Sequence, residues 1–144
     1  MGRSRGGWTC KIHMVGANDW FALGFRLSGG QVGDGPQGRE LIGGMKSPKR
    51  GCPLAMDCAY HGDQARALAR QLGHKPIVPP NPLRLKPWKL DKRLYRRLNE
   101  IERPFRSPKA FRRILTRHYK LDSLFSSFVL LALIFIFSYC VNTP

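Results

Sequence analysis

The sequence predicts an α/β fold in which helices pack on a mixed sheet of about four strands. Three observations support this: two strand-like runs joined by a turn near the start, a helical pattern rich in alanine before the midpoint, and a short strand directly after that helix. Strand, helix and strand in this order are typical of helices layered on a sheet. At 144 residues the chain is long enough for one ordinary domain.

The first predicted elements form a hairpin. A glycine-rich, basic lead-in precedes an apolar run from Trp8 to Val15, and a turn at residues 16–19 leads to a second run from Trp20 to Leu27. Loosely alternating apolar residues around a glycine-containing turn are typical of paired antiparallel strands. Residues 31–51 are rich in glycine and predict a loop, with at most a short helix around Arg39 to Ile42.

The middle of the chain predicts a strand, a helix and another strand. The first strand covers Pro53 to Ala59 and carries Asp57 to its rim. The helix runs from Asp63 to Leu72, with Asp63 as its N-cap and Gly73 in the left-handed position after its end. The last strand, residues 75–80, is stopped by prolines, which favours an edge or the rim of a site.

Positive charge dominates the second half of the chain. The formal net charge is +16, and residues 84–120 carry fourteen Lys or Arg against three acidic residues. Five aromatic residues are interleaved there, and a basic helix is predicted from about Lys92. Lysine and arginine placed on phosphates release condensed counterions, so DNA is the first partner expected, and an anionic membrane surface is the second. The alternative is that these charges form a solvent-exposed helical face that only keeps the protein soluble.

The C-terminal segment has a different composition. No charged residue follows Asp122, and residues 124–141 are almost wholly apolar. This length falls within the roughly 17–25 residues that can cross a hydrocarbon core. We favour a terminal helix packed on the core and keep a membrane-spanning helix as the alternative. The predicted organisation is therefore one domain over residues 1–121 and an apolar helix over residues 122–144.

The four cysteines predict free thiols in a reducing cytoplasm. They show no paired CxxC spacing, and no secretory signal opens the chain. Cys52, Cys58 and His61 have a spacing that could contribute to a zinc site, but a fourth ligand at a usual spacing is lacking. Buried thiols are the favoured interpretation.

Two carboxylates stand out against this basic background. Asp57 ends a short apolar run, and Glu102 lies in a segment rich in arginine. A carboxylate among many cations is either an ion-pair partner or a metal ligand. The alternative for Asp57 is a hydrogen bond to the following turn, and for Glu102 an exposed ion pair worth about 0–1 kcal/mol.

Several motifs in order resemble the DDE transposases of bacterial insertion sequences, in the IS-four/IS-five superfamily. Residues 2–13 resemble the family's GRSRGG-x-T-x-KIH stretch, and Asp57-x-x-Tyr60 resembles the motif around its second catalytic aspartate. Tyr95, Glu102 and Lys109 match the spacing around its catalytic glutamate, residues 111–121 match the basic stretch beyond, and residues 76–80 match a proline-rich strand. The resemblance covers nearly the whole chain.

The resemblance implies an RNase H-like fold in which three carboxylates hold two divalent ions, usually Mg²⁺, with Mn²⁺ as a substitute. Asp57 and Glu102 would be catalytic metal ligands. Tyr95 and Lys109 would position the DNA end, and three arginines would contact phosphates: Arg112, Arg113 and Arg117. The partners implied are the ends of the DNA element, with either an upstream-frame transposase product or a second copy of the chain, in the cytoplasm on nucleoid DNA.

The sequence departs from the family pattern at several positions. The family's first aspartate precedes the GRSRGG stretch, so the first catalytic strand is expected to be absent and the RNase H-like fold incomplete. Leu98 replaces an arginine, and His61 stands where aspartate is frequent. Pro104 and Pro108 should end or kink the helix after Glu102, because each proline inside a helix costs about 3 kcal/mol of helix stability.

These features predict a transposase fragment that binds DNA, supplies two of three catalytic carboxylates, and is inactive by itself, so whether the chain is an enzyme stays open. A non-catalytic DNA-binding remnant is one alternative. A small basic protein anchored in the inner membrane through residues 124–141 is the other.

Overall fold

The computed structural model describes the backbone of residues 2–4, 7–17, 21–48, 51–96, 111, 114 and 121–142. The chain divides into two compact units, one of residues 1–31 with 99–144 and the other of residues 32–98. The division predicted from the sequence, at residue 121, stays a prediction.

The first unit contains a three-stranded antiparallel sheet. Its strands are β1 (Gly2–Ser4), β2 (Gly7–Gly16) and β3 (Ala22–Gly29), in the order β1-β2-β3. The β2–β3 pairing places Ile12 opposite Leu27 and continues to the turn, where the register shifts at Val15/Gly16. The predicted hairpin is confirmed. The lead-in also forms a strand, which its glycines did not predict.

A long C-terminal helix, which we label α4 (Asp122–Asn142), covers one face of this hairpin. One stripe of the helix is buried, at Phe125, Val129, Ala132 and Ile136, with the spacing of four, three and four residues that keeps side chains on one helical face. The core cluster around this stripe includes Ile114 and side chains from β2 and β3: Cys10, Ile12, Phe25 and Leu27.

The rest of the α4 surface is apolar as well. Leu130, Leu131 and Ile134 are each at least half exposed. By length and composition residues 122–139 of α4 could cross a membrane, and 17% of that window is buried. A helix that is apolar on every side gives no sequence signal for which side faces the core.

The second unit is built around a parallel pair of strands. The elements in order are α1 (Asp34–Gly43), β4 (Pro53–Ala55), a 3-10 turn (Cys58–Tyr60), α2 (Asp63–Gln71), β5 (Lys75–Ile77) and α3 (Lys92–Arg96). β4 and β5 pair in parallel, and α2 lies between them in the chain. This is the strand–helix–strand crossover that parallel pairing requires.

The core of the second unit lies between its helices and the strand pair. Ile42, Met56 and Val78 form its centre, with Leu54, Leu68, Leu72 and Trp88 packed around them. Ala65 and Ala69 of α2 are fully buried. Their small side chains bring the helix close to its neighbours, and the left-handed φ of +83° at Gly73 turns the chain from α2 into β5.

Several element predictions need correction. α1 spans ten residues rather than the four expected. The helix can begin before Pro36 because proline lies in the first turn, where backbone N–H groups have no partner within the helix and the missing N–H costs nothing. The N-cap of α2 is Gly62, and Asp63 is its first residue. β4 ends at Ala55 rather than Ala59. Within the described residues the strands form two separate sheets, not one mixed sheet of about four strands.

Candidate metal and nucleic-acid site

Asp57 lies where the parallel strands end. The residue before it, Met56, is buried and donates its N–H to Ile77 O at 2.9 Å, which extends the β4–β5 pairing by one step. Asp57 follows immediately and is exposed. In α/β sheets, ligands bind in the crevice beyond the carboxyl ends of the strands. The strand end therefore delivers this carboxylate to solvent at the position where the sequence predicted it.

The backbone after Asp57 fixes the direction of its side chain. The Asp57 carboxylate accepts a hydrogen bond from Cys58 N–H, and the Asp57 carbonyl accepts one from Tyr60 N–H at 2.9 Å. Asp57 is therefore the N-cap of the 3-10 turn. A carboxylate has about four acceptor positions. One backbone donor orients the group and leaves capacity for a cation.

The charge of Asp57 raises the pKa of two neighbouring groups, Cys58 and Tyr60. Hydrogen bonding and charge repulsion from its carboxylate raise the pKa of the exposed Cys58 thiol. Burial raises the pKa of Tyr60, and the charges of Asp34 and Asp57 raise it further. The Tyr60 ring packs on α1 at Gly38, where an added Cβ would lie 2.3 Å from its Cε1. Close packing against α1 thus places the phenol within reach of the fields of both carboxylates.

The proposed partner of Asp57 lies outside the described residues. Glu102 is in that part of the chain, as are Lys109 and three arginines, Arg112, Arg113 and Arg117. Across the described ranges, no three His, Cys, Asp or Glu side chains are grouped as they would be around a metal ion. The roles assigned to Glu102 and to these basic residues stay predictions.

Tyr95 is the one predicted DNA contact whose position is described. It lies half-buried on α3, a helix that begins after Asp91. Asp91 caps this helix, because its carboxylate accepts the N–H of Leu94 at 3.1 Å and its carbonyl accepts the N–H of Tyr95 at 2.9 Å. α3 contacts β4, so Tyr95 belongs to the unit that carries Asp57.

The cysteines and histidines that the structure describes differ in burial and in hydrogen bonding. Cys52 and Cys58 are exposed, so the expectation of buried thiols is wrong for both. Cys52 directly precedes β4, and Cys58 begins the 3-10 turn. His13 is buried, and its Nε2 lies within hydrogen-bond distance of Ser28 Oγ, at 2.8 Å. His74 is buried with no hydrogen-bond partner for either ring nitrogen within the described structure, which the sequence did not predict.

A cluster around Trp88 was not found from the sequence. The Arg66 guanidinium lies 3.4 Å from the centre of the Trp88 ring, and that of Arg84 lies 4.9 Å from it. Asp63 joins the two arginines, at 2.6 Å to Arg84 and 3.6 Å to Arg66. The hydrogen bond from Arg84 and the nearby positive charges lower the pKa of Asp63. The indole N–H donates to Val78 O at 2.8 Å, which completes the cluster.

A second missed feature connects the Asp57 turn to the segment after β5. His61 Nδ1 lies 2.6 Å from Cys58 O, and His61 Nε2 lies 3.4 Å from Asn81 Nδ2. Asn81 Oδ1 accepts the N–H of Leu83 at 2.9 Å. Because these partners are twenty residues apart in the sequence, spacing alone gave no signal for them.

Comparison with known proteins gives two matches and one absence. Residues 3–137 match the model of a family described as Transposase DDE domain. The chain is 34% identical over 125 residues to a Brucella ovis protein assigned as the transposase of insertion sequence element IS6501, which covers 86% of this chain and 94% of the relative. No solved structure matches the chain significantly.

Proposed function

Because this chain belongs to the DDE transposase family, we propose that it acts in DNA transposition by binding DNA and placing Asp57 and Glu102 at a site for divalent metal ions. The observation that carries the proposal is the position of Asp57. It is an exposed carboxylate at the end of a parallel strand pair, oriented by the N–H of Cys58. Transposases of this family depend on divalent metals, and carboxylate oxygens are the ligands that Mg²⁺ prefers.

The chemistry follows from which groups the chain supplies. When bound, a pair of divalent ions would activate a water or a DNA 3′-hydroxyl and stabilise the leaving oxygen. Asp57 contributes a fixed anionic ligand at the strand end, and Glu102 the second. In the proposed site this chain supplies Asp57 and Glu102, two of the three carboxylates that the resemblance implies, and it does not cut DNA alone.

DNA binding rests on the basic segment of residues 84–120. Its described part begins at the Trp88 cluster and continues through α3, with five basic side chains open to solvent at Lys86, Lys89, Lys92, Arg93 and Arg96. These side chains are free to approach phosphates. Lys109 and the three arginines at positions 112, 113 and 117 extend the same charge along the chain. We propose that DNA ends bind here in the cytoplasm.

A binding and cleavage assay tests this proposal. The purified chain should retain duplex DNA, with an affinity that falls steeply as salt rises because phosphate contacts release counterions. Incubated with supercoiled plasmid and Mg²⁺ or Mn²⁺, it should leave the plasmid unnicked. Nicking that disappears in Asp57→Ala would show that the third carboxylate is already present in the chain.

Metal binding at Asp57 needs its own measurement. Addition of Mn²⁺ should broaden the amide NMR signals of residues 57–61, and Asp57→Asn should abolish this broadening. Glu40→Gln, which removes an exposed carboxylate on α1, is the matched control and should leave it unchanged. Equal broadening in all three proteins would remove Asp57 from the site.

The apolar surface of α4 favours one alternative, a basic membrane-anchored protein. Cell fractionation separates the two. A transposase should leave the membrane fraction in high salt, whereas an anchored protein should stay there until detergent is added.

A further inference from the structure

The hydrogen bonds around His61 determine which of its two ring nitrogens carries the proton. Leu83 N–H donates to Asn81 Oδ1, which fixes the orientation of the amide and directs Asn81 Nδ2 towards His61. An amide nitrogen donates and does not accept. His61 Nε2 must therefore accept, so the ring proton is on Nδ1 and donates to Cys58 O at 2.6 Å. Neutral His61 in this tautomer satisfies every contact.

Cys58 is thereby held at both ends of its backbone. Its N–H donates to the Asp57 carboxylate, and its carbonyl accepts the His61 ring N–H at 2.6 Å as well as the His61 backbone N–H at 3.1 Å. Rotation of this residue would break bonds on both sides. Since Asp57 takes its direction from Cys58 N–H, the imidazole controls the carboxylate through one intervening residue.

We infer that His61 is a positioning residue for Asp57 and that Asn81 sets the tautomer His61 needs for this task. The inference rests on the proposed function, in which Asp57 is a metal ligand. An ionised aspartate at position 61 could not replace the imidazole, because it only accepts hydrogen bonds and Cys58 O requires a donor. Outer groups that orient a ligand typically change metal affinity by about 10–100-fold when removed.

Four variants of the full chain separate the two bonds of the ring. His61→Asn keeps a donor near the Nδ1 position, and His61→Gln keeps an acceptor near the Nε2 position; His61→Ala removes both. Leu85→Ala, at a side chain 99% exposed in the same segment, is the control. The readout is the ¹⁵N order parameter of the amides of residues 58–61. We expect about 0.85 in the wild type at pH 7.5, a fall towards about 0.6 in His61→Ala, and intermediate values in the other two.

Asn81→Asp provides the sharpest test, because it exchanges a donor for an acceptor at one position. An aspartate here still accepts from Leu83 N–H but cannot donate to His61 Nε2. The imidazole ¹⁵N chemical shifts should place the ring proton on Nδ1 in the wild type and on Nε2 in Asn81→Asp, and the order of residues 58–61 should fall with this change. The same tautomer in the two proteins, or unchanged order in His61→Ala, would overturn the inference. The tautomer decides the matter even if His61→Ala fails to fold.

Metal affinity distinguishes failure of this inference from failure of the proposed function. Mn²⁺ should bind His61→Ala about tenfold more weakly than wild type, and should not bind at this turn in Asp57→Asn. If Asp57→Asn binds Mn²⁺ normally while Asn81→Asp changes the His61 tautomer and the order of residues 58–61 as expected, the metal role is wrong and the positioning role stands. If the tautomer and the order do not change, the positioning role is wrong whatever the metal does.

Discussion

Two helices of this chain each bury one stripe, yet they leave opposite kinds of surface to water. α2 buries Ala65 and Ala69 and exposes a polar side that includes Arg70. α4 buries Phe125 and Val129 and exposes leucine and isoleucine. In α2, the buried residues are apolar and the exposed ones are polar, so the sequence shows which side faces the core. In α4, both sides are apolar, and the buried side is the one whose side chains fit against the hairpin. Amino-acid composition does not reveal that fit.

The largest expected effect tests whether α4 is held by its buried stripe. Ile136 is 9% exposed and Ile134 is 59% exposed, two positions apart on the same helix. Ile136→Ala should lower the free energy of unfolding by about 2–5 kcal/mol, because it removes buried methyl groups and leaves a cavity. Ile134→Ala should change it by less than about 0.5 kcal/mol. Urea unfolding followed by circular dichroism measures both, and equal losses would contradict the assigned stripe.

An intermediate effect is expected in α1, where Gly38 allows a close approach as Ala65 and Ala69 do in α2. Gly38→Ala should destabilise by about 1–3 kcal/mol, because the new Cβ would overlap the Tyr60 ring. Gly43→Ala, on the same helix with no atom within 4 Å of the added Cβ, should stabilise by up to about 1 kcal/mol. Thermal unfolding distinguishes them. The prediction fails if both changes shift the midpoint in the same direction.

The smallest effect concerns charge at the strand end. The Asp57 carboxylate raises the pKa of Cys58, so less thiolate is present at a given pH. Asp57→Asn should lower this pKa and make Cys58 react severalfold faster with iodoacetamide at pH 8, with the reactive form appearing at lower pH. Cys52, also exposed, is the internal control and should react at its wild-type rate. Mass spectrometry of the two peptides measures each rate.

The sequence predicted those elements whose stability is local. The hairpin and α2 follow from alternation and helical spacing, and Gly73 from the turn that must end α2. β1 was missed because Gly2 and Ser4 have low strand preference, and pairing with β2 is what orders them. α1 was predicted too short because Gly38 is a poor helix former, and its packing on Tyr60 lies outside any local pattern.

The candidate site was predicted in part for the same reason. Asp57 was predicted as a site residue because it ends an apolar run and matches a family motif, and its exposed position after β4 agrees with the predicted rim. The supporting contacts of His61 with Asn81, and of Arg66 and Arg84 with Trp88, join residues far apart in the chain. Such contacts depend on how the segment after β5 returns to α2. Periodicity cannot encode that return.

The uniform apolar character of α4 has a consequence for how this helix can vary. Rotation of α4 about its own axis would bury one apolar side in place of another. The hydrophobic effect therefore hardly opposes this rotation. Shape must supply that resistance, through contacts such as the edge-to-face pair of Phe21 and Phe137, whose ring centres lie 4.5 Å apart. Substitutions that only change side-chain size, with no change in polarity, are therefore the ones that can turn this helix.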